Sequence, residues 1–189
     1  MKKLFFYIAL TRFLTTITGG LGCLLFLNWL IPVLGQIGSA FSQASQQISC
    51  TLIFFIFSLN KVLKFTVERP YLLLFLDALI WILDALVLVF LGPSYPWAVL
   101  VSGTVSFLCF QSFLINKNAL INRVISGDEL SLFNNRLTIF STLGGIIGTM
   151  LSPCFEASLF NIAIISICGI FISVPLNIIQ IRMLLNFQK

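Results

Sequence analysis

Two aspartates, Asp77 and Asp84, lie seven residues apart in an otherwise apolar stretch. On a helix that spacing is nearly two turns, so both carboxylates share one face. Arg12 and Arg136 sit in similarly apolar surroundings. A charge within a membrane commonly costs a few kcal/mol at a helix centre, and such residues mark ion pairs, proton relays or substrate paths. The two arginines lie early in their segments, where a long stem reaches the headgroups, so snorkelling competes with function for both. A short carboxylate has no such escape. Asp77 falls at a depth similar to Arg12 and Arg136, which suits an ion pair inside a bundle. Asp84 falls near the bilayer midplane, which suits proton coupling. The competing account of Asp84 is a structural carboxyl hydrogen-bonded to Asn28 or Gln111. Asp77, Asp84, Arg12 and Arg136 are therefore the candidates for transport or proton coupling.

Other chemistries find little support. The chain has no histidine, so the commonest general base and metal ligand is missing. Cys23, Cys50, Cys109, Cys154 and Cys168 lie in or beside apolar runs without metal-type spacing, and read as small buried residues. No GxxxxGK[ST] loop is present, so the chain does not power transport with its own ATPase. No nucleophile–base constellation appears, and no second segment offers a carboxylate to face Asp77 or Asp84. The expectation is no enzyme, no metal and no cofactor. The formal net charge of +5 reads as membrane anchoring, not as nucleic-acid binding.

The elements that must position these residues are membrane spans. The 189 residues are 59% hydrophobic and only 9% charged, with a mean hydropathy of +1.07. So few charges cannot coat a water-soluble surface, since soluble domains carry roughly a quarter of their residues charged. Within lipid the backbone must satisfy itself as helices or a closed barrel. Barrel strands alternate apolar and polar residues, whereas this chain has unbroken runs such as Leu72–Leu76 and Leu86–Leu91. The expected fold is an all-α membrane protein, one bundle over 1–189 with six transmembrane helices near 5–31, 39–59, 71–91, 96–115, 130–151 and 157–185. The apolar stretch after Lys2 and Lys3 is too long for a cleaved signal peptide, and Arg12 interrupts it.

The basic residues fix an orientation. They cluster at Lys2, Lys3 and Arg12, at Lys61, Lys64 and Arg69, at Lys117, Arg123 and Arg136, and at Arg182 and Lys189. With six spans all four clusters fall on one side, and the other three connections carry none. The positive-inside rule then puts both termini in the cytoplasm of a cell membrane. The outward connections, 32–38, 92–95 and 153–156, are short, and the inward loop 116–129 is expected to be longer and polar.

Small residues mark where helices approach closely. Gly19 and Gly20 in the first span, and Gly144, Gly145 and Gly148 in the fifth, form two such runs. Packing within the chain is the plain reading; sliding of the two helices during transport is the sharper one. Residues 42–49, Ser-Gln-Ala-Ser-Gln-Gln-Ile-Ser, are unusually polar for a span and should face water or a cavity.

Residues 119–135, Ala-Leu-Ile-Asn-Arg-Val-Ile-Ser-Gly-Asp-Glu-Leu-Ser-Leu-Phe-Asn-Asn, followed by Leu-Gly-Gly-Ile-Ile-Gly at 143–148, resemble a known pattern. It is the passage from helix 4 to helix 5 in major facilitator superfamily exporters of the macrolide-efflux-like and enterobactin-exporter-like branch. Asp128, Glu129, Leu130 and Asn134 fall on matching positions, and Glu68-Arg69 followed by 72–77 resembles that group's entry into helix 3, with its Asp at the position of Asp77. The six-helix layout with both ends inside is similar to one half of such a transporter. Two features depart from the pattern. Lys61, Phe65 and Thr66 occupy the Gly, Asp and Arg positions of the G-x-x-x-D-R gating signature, and a proline expected near Asn122 is absent. The resemblance implies a half-size efflux permease in the lipid bilayer, working as a homodimer or with a separate second half, on small amphipathic substrates suited to a lining rich in the chain's 20 phenylalanines. Non-transporting accessory or bacteriocin-immunity-like proteins, and a truncated remnant, are the alternatives the lost signature implies.

Overall fold

A computed structural model describes residues 2–58, 60–125 and 127–187, without the side chains of Asn60, Lys61 and Leu63. The expectations placed on Lys189, on residue 59 as the end of a span, and on the Lys61 side chain lie outside the described residues. Every regular element described is helical: α1 (Lys2–Ser58), α2 (Asn60–Val67), α3 (Pro70–Phe90), α4 (Pro96–Val124), α5 (Gly127–Leu151), a 3-10 turn at Ser152–Cys154, and α6 (Leu159–Phe187). Five of the six α-helices among the described residues, all but α2, are long and apolar enough to cross a membrane.

α1 covers two of the expected spans. Straight, its 57 residues would reach roughly 85 Å at 1.5 Å per residue. It bends at Gly35, whose φ of 64° and ψ of −163° lie in a region that only glycine occupies freely. The first span was expected to stop at Pro32 and Gly35. Pro32 is accommodated inside the helix, and the break falls at Gly35. Beyond the bend the chain runs back, because Val67 packs in one cluster with Leu4 and Ile8 near the start of α1. The protein therefore has six apolar segments, the 2–34 and 36–58 arms of α1 supplying two.

Two buried clusters record the up-and-down path. One gathers the start of α1, the end of α2, the ends of α4 and α6, and the start of α5, through Leu4, Val67, Leu120, Phe133 and Leu184. The other gathers the 2–34 arm, the end of α3 and the starts of α4 and α6, through Leu25, Leu88, Val99 and Ile162. Consecutive segments thus alternate in direction, and both described ends of the chain lie at the same end of the bundle.

Local signals set most boundaries. Pro70 and Pro96 open α3 and α4 at positions where the missing N–H costs nothing. α3 stops at Gly92-Pro93, where the Leu91 and Gly92 amides both donate to the Val87 carbonyl at 3.0 and 2.9 Å. Asp128 and Glu129 occupy the first turn of α5, where the helix dipole favours anions. The connection between α4 and α5 is much shorter than the expected polar loop over 116–129. No glycine or proline falls between Gly103 and Gly127, so α4 continues two further turns past 115, to Val124.

The broadest helix contact joins α1 to α5, and glycines make it. A Cβ on Gly20 would lie 2.9 Å from the Gly145 carbonyl oxygen, and one on Gly144 2.5 Å from that of Phe13. A Cβ on Gly148 would collide with the Ile17 carbonyl. Backbones this close gain dispersion contacts that larger residues would forbid. Phe5 caps the seam, edge-on to Phe133 at 5.3 Å. Outward, Phe54, Phe55, Phe75, Phe90 and Phe171 are mostly exposed, an apolar surface of the extent that lipid covers. The chain is an all-α, multi-pass membrane protein.

Candidate functional site

Between the two apolar clusters the bundle holds a cavity of about 600 Å³, lined from both arms of α1 and from α3, α4, α5 and α6. That volume suits a drug-sized molecule. Four acidic or basic side chains line it: Arg12 from the first arm, Asp77 and Asp84 from α3, and Lys117 from α4.

Lys117 is 4% exposed, and its Nζ donates to the Asn177 Oδ1 on α6 at 2.6 Å. Arg12 shares the cavity wall with Lys117, and its charge acts on that side chain. Arg12 itself has no side-chain partner among the described residues. Each carboxyl has a separate neighbourhood. Asp77 meets the Trp81 side chain one turn along α3, and its charge reaches Cys109. Asp84 meets Ser102 of α4. One oxygen of each, Oδ1, has no hydrogen-bond partner among the described residues. Among the described residues no ion pair within 4.0 Å joins these carboxylates to either cation.

Hydroxyls and rings complete the wall. Thr11, Thr15, Thr16 and Thr18 donate to carbonyls three or four residues back in α1, the usual way a hydroxyl is satisfied in a spanning helix. Trp81, Phe107, Phe110 and Phe113 add aromatic surface. From the polar 42–49 segment, Ser42, Ser45 and Gln46 line the cavity, while Gln43, Gln47 and Ile48 are exposed on the opposite side of that arm. Below the cavity, the buried Gln180 amide of α6 donates to the Tyr7 carbonyl at 3.0 Å and to the Thr11 hydroxyl, tying α6 to α1.

The structure gathers three of the four transport candidates and leaves the fourth outside. Arg136 is exposed on α5, off the stripe of Phe133, Leu137, Gly144 and Gly148 that faces inward. The ion pair expected of Asp77 with Arg12 or Arg136 is not formed, and neither Asn28 nor Gln111 bonds Asp84: Asn28 is exposed and Ser102 takes the place. The cytoplasmic-motif residues Glu68, Arg69, Asp128, Glu129 and Asn134 are all exposed and away from the cavity. The Arg69 guanidinium lies over the Phe65 ring at 4.3 Å. Gly19, which an added Cβ would not crowd, lines the cavity beside Gly20 and Gly145.

Lys117 and Asn177 are the functional candidates that the sequence reading missed. Lys117 was assigned to a loop because it sits in Asn116-Lys117-Asn118. The available signal was spacing: Phe110, Phe113, Leu114 and Lys117 follow the i, i+3, i+4, i+7 pattern of one helix face, and all four line the cavity. Compared with family models, curated proteins and solved structures, the chain matches none.

Proposed function

We propose that this protein is a half-size membrane transporter, an efflux permease for small amphipathic compounds, with Asp77 and Asp84 as its proton-coupling groups. The cavity carries this reading: a drug-sized space within an apolar helix bundle, with four acidic or basic side chains in its wall that form no ion pairs with one another. Intramembrane charges of this kind are costly unless a substrate, a proton or a partner uses them. Residues 119–135 and 143–148 add the resemblance to one half of a major facilitator superfamily exporter, in which a second six-helix bundle completes the transport path. A second copy or a separate half would supply it.

The test is dye and antibiotic accumulation in an efflux-deficient bacterial host, with Asp77→Asn and Asp84→Asn beside the parent. The reading expects lower accumulation with the parent, abolished by a proton uncoupler and by at least one variant at equal membrane level. Unchanged accumulation across a broad panel, with the protein well expressed, would count against transport. That result would favour the second reading, a non-transporting accessory or immunity-like membrane protein. Its supporting observation is the lost gating signature at Lys61, Phe65 and Thr66.

A further inference from the structure

Arg12 and Lys117 present two basic side chains to one cavity, and among the described residues no carboxylate lies within ion-pair distance of either. Lys117 is almost fully buried, and its recorded partner is the neutral Asn177 oxygen. Like charges held together in a low-dielectric space repel and lose their hydration, and an anion relieves both costs. The guanidinium fork and the ammonium point charge are the groups proteins use to hold carboxylates, sulfates and phosphates. Leading away from Lys117, the same face of α4 carries Phe113 and Phe110 into the cavity. The wall therefore offers an apolar strip that ends at a pair of cations. The carboxylates do not supply the missing negative charge there, since Asp77 is engaged near Trp81 and Cys109 and Asp84 near Ser102.

We propose that this cavity binds a single-chain amphiphile with an anionic head, the head on Arg12 and Lys117 and the chain along Phe110 and Phe113. A fatty acid is the simplest member of the class. A cavity of about 600 Å³ suits one chain and one head, so the ligand proposed is a free single-chain amphiphile, and a bilayer lipid is the competing outcome of the test. The proposal names the substrate class of the transporter reading and rests on that reading for movement across the membrane; the binding site stands or falls by itself.

The experiment is equilibrium binding of radiolabelled laurate to the full chain in phosphatidylcholine nanodiscs. Competitors are dodecyl sulfonate, dodecanol, dodecyltrimethylammonium and inorganic phosphate, with a parallel set of nanodiscs containing phosphatidylglycerol. Saturable laurate binding is expected, displaced by the sulfonate far better than by the alcohol or the cation. Phosphate alone should compete weakly, and phosphatidylglycerol should leave binding unchanged. Arg12→Gln and Lys117→Gln should each weaken laurate binding roughly ten- to a hundredfold, as expected for losing one charge-assisted hydrogen bond. Asn177→Asp, which sets a carboxylate against Lys117, should do the same while keeping the buried contact. It decides the matter, with Arg12→Gln, if Lys117→Gln fails to fold. Equal competition by the cation or the alcohol, displacement by phosphatidylglycerol, or unchanged binding in variants that melt like the parent would each overturn the proposal. Laurate binding without any change in the accumulation of laurate, dyes or antibiotics would refute the transporter reading alone.

Discussion

Gly144 and Gly145 are neighbours in sequence with opposite surroundings, and the α1–α5 seam makes that difference measurable. A Cβ at Gly144 would meet the Thr16 hydroxyl and lie 2.5 Å from the Phe13 carbonyl oxygen, whereas one at Gly145 would meet nothing within 4 Å. Backbone cannot swing aside as a side-chain end can, so Gly144→Ala must push the two helices apart. Overpacking of this kind costs roughly 1–3 kcal/mol, offset by up to about 1 kcal/mol from alanine's better helix propensity. A net loss of about 1–2 kcal/mol follows, or a melting temperature lower by roughly 2–8 °C for a chain of this size. Gly145→Ala keeps the propensity gain without the clash, so it should be neutral or stabilising by up to about 1 kcal/mol. Gly148→Ala should behave like Gly144→Ala, because its Cβ would strike the Ile17 carbonyl and lie 3.0 Å from the Leu21 nitrogen. The double variant should lose less than the sum, since one displacement of α5 relieves both contacts. Heating detergent-solubilised protein and following the monodisperse fraction by size exclusion gives the melting temperatures. If Gly145→Ala lowers the melting temperature as much as Gly144→Ala does, the assigned seam is wrong.

Three further predictions concern the rest of the bundle. Gly35→Ala should destabilise by about 1–3 kcal/mol, read in the same melting assay, because a φ of 64° with a ψ of −163° is open to glycine and strained for any residue with a Cβ; an unchanged melting temperature would place the bend elsewhere. Asn116→Leu should raise stability by about 1–3 kcal/mol, since the buried Asn116 amide has no partner among the described residues for either polar atom and a same-sized apolar side chain removes an unsatisfied pair; a lower melting temperature would show that the amide has an essential partner. In a cysteine-free background, Lys3→Cys and Asn186→Cys should react with a membrane-impermeant maleimide from the same face, and Ser94→Cys from the other. Labelling of Lys3→Cys and Ser94→Cys from one face would rule out the alternating path that the two buried clusters describe.

The spans were legible because lipid leaves few options: a long apolar run must be helical, and proline or glycine with a polar neighbour ends it. Pro70 and Pro96 open α3 and α4, and Gly92-Pro93 ends α3 in that way. Pro32 does not, because a helix continues through a proline when neighbouring packing re-satisfies the freed backbone, and Gly35 takes the reversal. Which charged residue faces inward was much less legible. Arg12 and Arg136 look alike in sequence, each early in an apolar segment. They differ only in whether their helix turns them to the cavity, as with Arg12, or away from it, as with Arg136. Lys117 was hidden by local polarity. Asn116 and Asn118 make its surroundings look like a loop, yet Asn116 and Lys117 are buried and only Asn118 of the three is exposed. A polar triplet inside a helix signals a buried site as readily as a turn when no helix breaker accompanies it.

The polar wall of the cavity divides into groups that are already satisfied and groups that are not, and this division determines what a ligand would feel. The threonine hydroxyls of α1 spend their protons on carbonyls of their own helix. Thr104 and Ser166 do the same in α4 and α6. Such hydroxyls make the wall compatible with polar atoms but demand little from a ligand, because exchanging one satisfied hydrogen bond for another changes the free energy by only about 1 kcal/mol. Arg12, Lys117 and the free oxygens of Asp77 and Asp84 differ: each holds charge or bonding capacity that the fold leaves open or meets only with a neutral partner. A ligand that meets these groups gains charge-assisted bonds, which are about twice as strong as neutral ones, while one that leaves them bare gains only apolar contact with the phenylalanines. Selectivity in this cavity is therefore set by where the cations and carboxylates lie along it. Single substitutions at those four positions should change which ligand class is bound, whereas substitutions among the hydroxyls should change affinity modestly for every class alike.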